Sequence, residues 1–495
     1  MSLSSDVDPQ FREYERLVVT AFDAYLRPVI SGYVNDLEAE LQAHGFTCPM
    51  QIMQSNGGIT SARAAAERPV GTVLSGPAAG VVAGEMAGAL AGFDNVVTLD
   101  MGGTSFDVAL VRGGHIETGS EGRLGRYPLR VPMVDVHTIG AGGGSIARLD
   151  AAGGLRVGPE SAGADPGPAC YGRGGREATV TDASIVLGYL NPATYAGGRF
   201  PLHPDLATEV VRTRVAEPLG LELPRAAAGI HEIVNTQMAE AVRLVSLQRG
   251  YDLRGIALVA MGGAGPVHAG RLLKLLQAQA VVVPARPGVS SAFGLLLAQV
   301  RHEAARPYPR LVQQAEPAAM RRLFEEMDAQ CRQKMVAEGV PLADVRIERY
   351  AEMRYVGQSF ELRVPFATEG EKSLGALLAE FHATHDRVYG HHSPDTGVEI
   401  LALRSVHLYQ LPAPPADPPP PAGAPAKPDH TRRTFFAELG GYVDGPVYRR
   451  AGLAAGTRVK GPAIVDQEDT TTVVYPGQTA SVHPSGTLII RQDAE

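Results

Sequence analysis

Residues 95–114 read NVVTLDMGGTSFDVALVRGG, and how this stretch is read decides the fold. Val96, Val97 and Leu99 predict a buried strand. Asp100-Met101-Gly102-Gly103-Thr104-Ser105 interrupts it, and Phe106 to Val111 is again apolar and β-prone, which predicts a hairpin. Phosphate loops of the P-loop and dinucleotide kinds open a helix after their strand, and no helical signal follows here. A Gly-Gly-Thr-Ser turn between strands can still take phosphate, because glycines let backbone N–H groups come close and the hydroxyls add donors. Asp100 and Asp107 flank the turn, and a carboxylate beside bound phosphate acts through Mg²⁺. The residues alone leave a second reading open: a Gly-rich turn bordered by two solvated aspartates.

Length and composition bound the rest. At 495 residues the chain should hold two to four domains. Lys plus Arg (45) against Asp plus Glu (53) gives a formal charge of −8, which provides no basic field for nucleic acid. No apolar run approaches the length of a membrane span, and the polar, acidic start Ser4-Ser5-Asp6-Val7-Asp8 is not a signal peptide. Cys48, Cys170 and Cys331 are too scattered for a disulfide framework or zinc knuckle, so the chain reads as cytoplasmic.

Upstream of the hairpin, Phe11 to Leu41 predicts a helix with a kink at Pro28, an abrupt beginning that reads as a crossover from something earlier. Gln51 to Gln54 predicts a strand and Ser61 to Arg68 a short helix. Ala78 to Ala91 predicts a helix whose many Ala and Gly residues allow close approach to a sheet, and the Ser75-Gly76 turn before it could receive an anion.

Downstream, Asp135 and His137 sit two apart on a predicted strand and so share a face, and Gly140 to Ser145 follows at once. A carboxylate beside an imidazole suits proton transfer or metal binding, and a structural pair is the alternative. The Gly- and Pro-rich stretch 157–175 predicts a long ordered loop of the kind that lines sites, and Asp182 after it reads by default as a helix cap, with a second polar site group as the alternative. Gly229 to Arg249 predicts a helix with one apolar face. Ile256 to Ala260 predicts a buried strand, followed by the tight loop Met261-Gly262-Gly263-Ala264-Gly265-Pro266 and a helix, which is the grammar of a helix N-terminus shown to a nucleotide.

Past about residue 305 the texture becomes α+β, with helices over 317–338 and 374–389 and paired strands over 345–364. Residues 411–428 hold nine prolines in eighteen positions, a semi-rigid connector able to span roughly 50 Å. Arg432 to Arg491 predicts short strands and turns. The expected divisions are therefore 1–305, an α+β segment 306–410, the linker 411–428 and a small β-rich domain 429–495. His382, His385, His391 and His392 lack metal-ligand spacing and read as surface histidines near a helix end.

Taken together, LSGPAAGVVAG, LDMGGTSFDVALV, DVHTIGAGGGSIA, GPESAGADPGPACYGRGG with TVTDA, AMGGAGPVHA, EMRYVGQSFEL and GPAIVDQEDTTTVVYPG resemble the hydantoinase A / 5-oxoprolinase family, from Ser4 to Ile490. That family includes the acetone and acetophenone carboxylase subunits related to hydantoinase A. The resemblance implies an α/β fold of actin-like ATPase (ribonuclease H-like) lobes that clasp ATP and Mg²⁺. By it, Asp100 and Asp107 hold Mg²⁺ and act in catalysis, Gly102, Gly103, Thr104 and Ser105 hold phosphate, and Gly262, Gly263, Ala264, Gly265 and Pro266 meet the adenosine end. Asp135 and His137 are assigned to the substrate side. The chain departs from the family in two ways. Members begin with a further domain carrying another acidic Gly-Gly-Thr hairpin, and Met1-Ser2-Leu3 before a family-like Ser4 suggests an expressed fragment or a split gene. Phe106 stands where Thr is common, so a phosphate-binding hydroxyl is expected to be lost.

The implied activity is ATP-dependent hydrolysis of a cyclic amide of hydantoin, N-methylhydantoin or 5-oxoproline type, in which phosphorylation activates the carbonyl oxygen before ring opening. A hydantoinase B-like subunit is the implied partner, self-association is open, and neither nucleic acid nor membrane is expected. The alternatives are an ATP-dependent ketone carboxylase subunit, and a nucleotide-binding scaffold inactive without its missing domain or partner.

Overall fold

The two apolar runs around the Gly-Gly-Thr-Ser turn form strands β1 (Val96–Met101) and β2 (Phe106–Arg112). They pair antiparallel with Asp100 opposite Asp107 and Met101 opposite Phe106, and no helix leaves the turn. The structure is a computed structural model that describes residues 1–10, 12–119, 122–247, 250–366, 374–412 and 427–494; most of the expected linker 411–428 lies outside the described residues. The chain divides into two compact units, one of residues 1–79, 118–134 and 295–414, the other of 80–117, 135–294 and 415–495.

The second unit is built on the sheet that contains the hairpin. Besides β1 and β2 its strands are β3 (Val136–Ile139), β4 (Ala257–Met261), β5 (Ala280–Val283), β6 (Arg458–Lys460), β7 (Gln478–Val482) and β8 (Leu488–Gln492), in the order β3-β2-β1-β4-β5-β8-β7-β6, with His115–Ile116 added beside β2. The β1, β4 and β5 strands run parallel, and the other pairs in that order are antiparallel. This corrects the expectation of a separate β domain over 429–495. Ile490, Ile489 and Leu488 pair with Val281, Val282 and Val283, so part of that stretch extends the same sheet. The pairing joins residues some two hundred positions apart, which no local pattern encodes.

Alternate side chains of β1 face opposite ways. Val97, Leu99 and Met101, with Phe106, Val108 and Leu110 of β2, enter one core with helix α2 (Leu223–Val245), whose Ile230, Val234 and Met238 are fully buried. On the other face lies helix α1 (Ser75–Leu90), which begins three residues before the predicted start. Gly80, Gly84 and Gly88 recur every four residues on α1, opposite Asp100, Thr98 and Val96. A Cβ on Gly84 would lie 2.3 Å from Thr98, so the small residues do set the helix-to-sheet distance.

In the first unit, Val300–Leu311 pairs along most of its length with Val398–Tyr409, in a six-stranded sheet packed by helix Pro317–Ala337. The Arg404 guanidinium, buried on that sheet, bonds Glu352 at 2.7 Å and Glu303 at 3.2 Å. Burial alone would raise Glu303, but Arg404 and its cationic neighbours hold it down at about 2. The expected helix at the N-terminus spans Glu13–Ala43 with Pro28 inside. Of the histidine cluster, His385 is buried and bonded to Gln358 and to the His391 carbonyl.

Between α2 and helix α3 (Gly265–Leu276) two buried imidazoles stack, His231 on His268 at 4.7 Å. The Ser184 hydroxyl donates to the Val180 carbonyl, so it accepts from His231 Nε2, while His268 Nδ1 donates to Asn235 Oδ1. Burial lowers both, His231 well below its ordinary value, with the charge of His268 adding to it, and His268 to about 4. The unfolded chain therefore takes up protons that the folded one refuses. Stability should be complete above about pH 6.5 and fall toward pH 4, with His268 alone accounting for about 3 kcal/mol. Thermal melts from pH 7 to pH 4 should show this loss, and His268→Gln should flatten the slope.

Candidate functional site

Because Asp100 and Asp107 are opposite one another in the β1–β2 register, their side chains emerge side by side on the α1 face of the sheet, with Cβ atoms about 5 Å apart. Each receives one hydrogen bond. Ser291, in the first turn of helix α4 (Ser290–Leu297), donates to Asp100 Oδ2 at 2.9 Å, and Thr138 of β3 donates to Asp107 Oδ1 at 2.5 Å. Burial pushes both carboxyls up from the ordinary range. The Ser291 bond opposes this for Asp100 and the neighbouring Asp107 adds to it; the Thr138 bond opposes it for Asp107. Desolvated like charges with so few donors favour a bound cation.

The turn between them is open. Gly102, Gly103 and Thr104 are exposed and Ser105 is half-buried. The Gly103 and Thr104 N–H groups donate to no protein acceptor among the described residues. Behind the turn sits the glycine run of 140–144. Gly143 N donates to Gly102 O at 3.0 Å and Gly144 N to Gly103 O at 2.7 Å, and Thr181 caps the Gly143 carbonyl at 2.8 Å. A Cβ on Gly142 would lie 2.5 Å from the Gly103 carbonyl carbon and the Thr104 nitrogen.

The Gly262–Pro266 turn abuts the same carboxylate. Gly262 has φ +78°, and a Cβ there would meet Met101 O at 2.2 Å and Asp100 Oδ1 at 2.6 Å. Ala264 N donates to Met101 O at 3.0 Å. Gly265 and Pro266 are buried at the start of α3, whereas Gly263 is exposed and borders a cleft of about 130 Å³ lined by Asn191, Thr194, Tyr195 and Glu468. The expected nucleotide turn thus lies next to Asp100, and Gly263 is its open member.

Other expectations are placed differently. Asp135 precedes β3 and its N–H bonds the Glu117 carbonyl. His137 pairs opposite Val108, the neighbour of Asp107, so it points to the other sheet face; the structure does not bring Asp135 and His137 to the carboxylates. Phe106 is fully buried on that other face, so a hydroxyl there would not reach phosphate. Asp182 is the expected cap, forming a reciprocal pair with Thr179, and it also accepts from Cys170 N at 2.8 Å, which ties the 162–177 loop to the helix. Burial still leaves its carboxyl raised. Ser291 and Thr138 were missed, and neither carries a motif; only their partners in space reveal them.

Two adjacent carboxylates with raised proton affinity, beside an exposed turn with free N–H donors, fit Mg²⁺, which takes one or two carboxylates and fills its shell with phosphate and water. Among the described residues no group of three or more His, Cys, Asp or Glu could hold a metal ion unaided. Asp100 and Asp107 would hold the ion here.

Known proteins share sequence and fold with this chain. Residues 16–304 match the hydantoinase/oxoprolinase family model and residues 309–488 match the hydantoinase/oxoprolinase C-terminal domain. Caprolactamase subunit alpha of Pseudomonas jessenii is 37% identical over 97% of this chain and 70% of its own length. The acetophenone carboxylase gamma subunit of Aromatoleum aromaticum is 34% identical over 99% and 68%. The crystal structure of the ATP-dependent caprolactamase from Pseudomonas jessenii superposes with a TM-score of 0.88 at 34% identity, covering 99% of this chain and 72% of that one. The α/β architecture of actin-like ATPase type is thereby borne out. Among the described residues no helix is long and apolar enough to cross a membrane.

The glycine clamp is directly testable. Gly142→Ala should destabilise the fold by roughly 1–3 kcal/mol, whereas Gly103→Ala, with nothing within 4 Å of its Cβ, should stay within about 0.5 kcal/mol in urea unfolding.

Proposed function

Since the chain belongs to the hydantoinase/oxoprolinase family, we propose that it is a subunit of an ATP-dependent cyclic amide hydrolase, acting on a ring of lactam, hydantoin or 5-oxoproline type. The observation that carries this reading is the register that sets Asp100 opposite Asp107 across an open Gly-Gly-Thr-Ser turn. In it, Asp100 and Asp107 hold Mg²⁺, the N–H groups of Gly103 and Thr104 and the hydroxyls of Thr104 and Ser105 receive phosphate oxygens, and Gly263 borders the nucleoside end. Bound Mg²⁺ supplies charge neutralisation for the transferring phosphoryl group. The amide oxygen attacks the γ-phosphorus and ADP leaves. Water then adds to the activated carbon, the C–N bond breaks as the ring nitrogen takes up a proton, and a second water hydrolyses the resulting acyl phosphate to carboxylate and phosphate.

Several relatives are named as subunits, caprolactamase alpha and acetophenone carboxylase gamma among them, and this supports a partner subunit of hydantoinase B type. The second reading, a ketone carboxylase subunit, is favoured by the 34% identity to the acetophenone enzyme's subunit.

ATP turnover with caprolactam, hydantoin, 5-oxoproline or acetophenone, each with and without bicarbonate and a hydantoinase B-like partner, separates the readings. Amide-dependent, bicarbonate-independent turnover is expected. Turnover that needs ketone and bicarbonate selects the carboxylase, and none with any substrate or partner leaves a nucleotide-binding scaffold. Asp100→Asn should abolish Mg²⁺-dependent nucleotide binding in calorimetry, and unchanged affinity would refute the metal assignment.

A further inference from the structure

The motif GPAIVDQEDTTTVVYPG contributes strands Ala463–Asp466 and Thr471–Val474, joined by the four-residue loop 467–470 and closed by the Gln467 N–H to Thr470 carbonyl bond. Among the described residues that loop donates no hydrogen bond to either carboxylate, yet three of its side chains grip the two turns that surround Asp100. Gln467 Nε2 donates to Ala285 O at 2.6 Å, Asp469 Oδ2 accepts from Gly288 N at 2.7 Å, and Thr470 Oγ1 donates to Gly263 O at 2.9 Å. The gripped turns are themselves tied together, Gly262 N donating to Pro287 O at 2.8 Å. Three residues beyond Gly288 comes Ser291, whose hydroxyl holds Asp100.

We propose that Asp469 is a positioning residue for the nucleotide-metal site: by fixing the Pro287–Val289 turn it sets where Ser291 meets Asp100. The inference rests on the reading of Asp100 as a metal-holding carboxylate. An acid is suited to this place because the N–H it accepts opens the turn that runs into α4, where unpaired donors favour negative charge. Contact is tight: a Cβ on Gly288 would lie 2.7 Å from Asp469 Cβ and 2.8 Å from Oδ2, so turn and loop cannot shift independently. A hydroxyl aimed at a ligand's carboxylate by a further shell of bonds is how outer residues tune metal affinity.

The test is calorimetric binding of ATP with Mg²⁺ to the full chain, with melting temperature recorded for every variant. Asp469→Ala should weaken binding about tenfold, while Asp469→Asn, which keeps an acceptor oxygen, should restore it to near the parent value. Ser291→Ala combined with Asp469→Ala should bind no more weakly than Ser291→Ala alone, since both act through one bond. Should Asp469→Ala fail to fold, Gly288→Ala, which presses on the same carboxylate, should give the same loss. Parent-like affinity in Asp469→Ala, or losses that simply add in the double variant, would overturn the proposal. Asp100→Asn serves as the control: if it alone binds normally, the metal reading has failed; if it abolishes binding while Asp469→Ala does not, only the positioning role has.

Discussion

The antiparallel register of β1 and β2 forces two carboxylates into adjacency at a half-buried spot. At about 5 Å, like charges in a medium of effective dielectric near 20 repel by about 3 kcal/mol, and burial adds a penalty to each. A single hydrogen bond from Ser291 and another from Thr138 offset only part of this. On the proposed reading of the pair, a divalent cation would convert this repulsion into shared attraction.

Much of the surrounding structure works by allowing backbone close to that pair. Gly80 of α1 leaves space for the Ser291–Asp100 bond, since a Cβ there would lie 3.1 Å from the Ser291 hydroxyl and 3.2 Å from Asp100 Oδ2. Gly262 lets the turn before α3 rest against the end of β1. The opposite sheet face is committed to apolar packing against α2, with Val97, Leu99, Phe106 and Val108 all buried. One face therefore holds the sheet rigid while the other carries the polar work, and the alternation of a strand is enough to keep the two apart.

What was legible in the sequence follows from the range over which each signal acts. The hairpin, the α1 glycines, the α2 apolar stripe and the Asp182 cap are encoded within a few residues of themselves, and each was readable. Asp135 and His137 illustrate the limit. They were placed on one face of a strand, but which face depended on pairing with β2, and a register one residue away would have put His137 beside Asp107. Ser291, and the joining of β8 to β5, depend on contacts between segments roughly two hundred residues apart, for which a lone sequence offers no periodicity.

The glycine run of 140–144 shapes the hairpin turn that it touches. Four glycines among the six residues 140–145 carry backbone N–H groups of the kind that can face an anion. In the structure the Gly143 and Gly144 N–H groups are spent on the Gly102 and Gly103 carbonyls. Those bonds turn the carbonyl sides of peptides 102 and 103 inward. The exposed edge of the hairpin turn is thereby left to the N–H groups of Gly103 and Thr104, the polarity an incoming phosphate requires. The run thus acts at one remove: it gives up its own donors to orient those of its neighbour, and its lack of side chains is what allows the two loops to lie in contact.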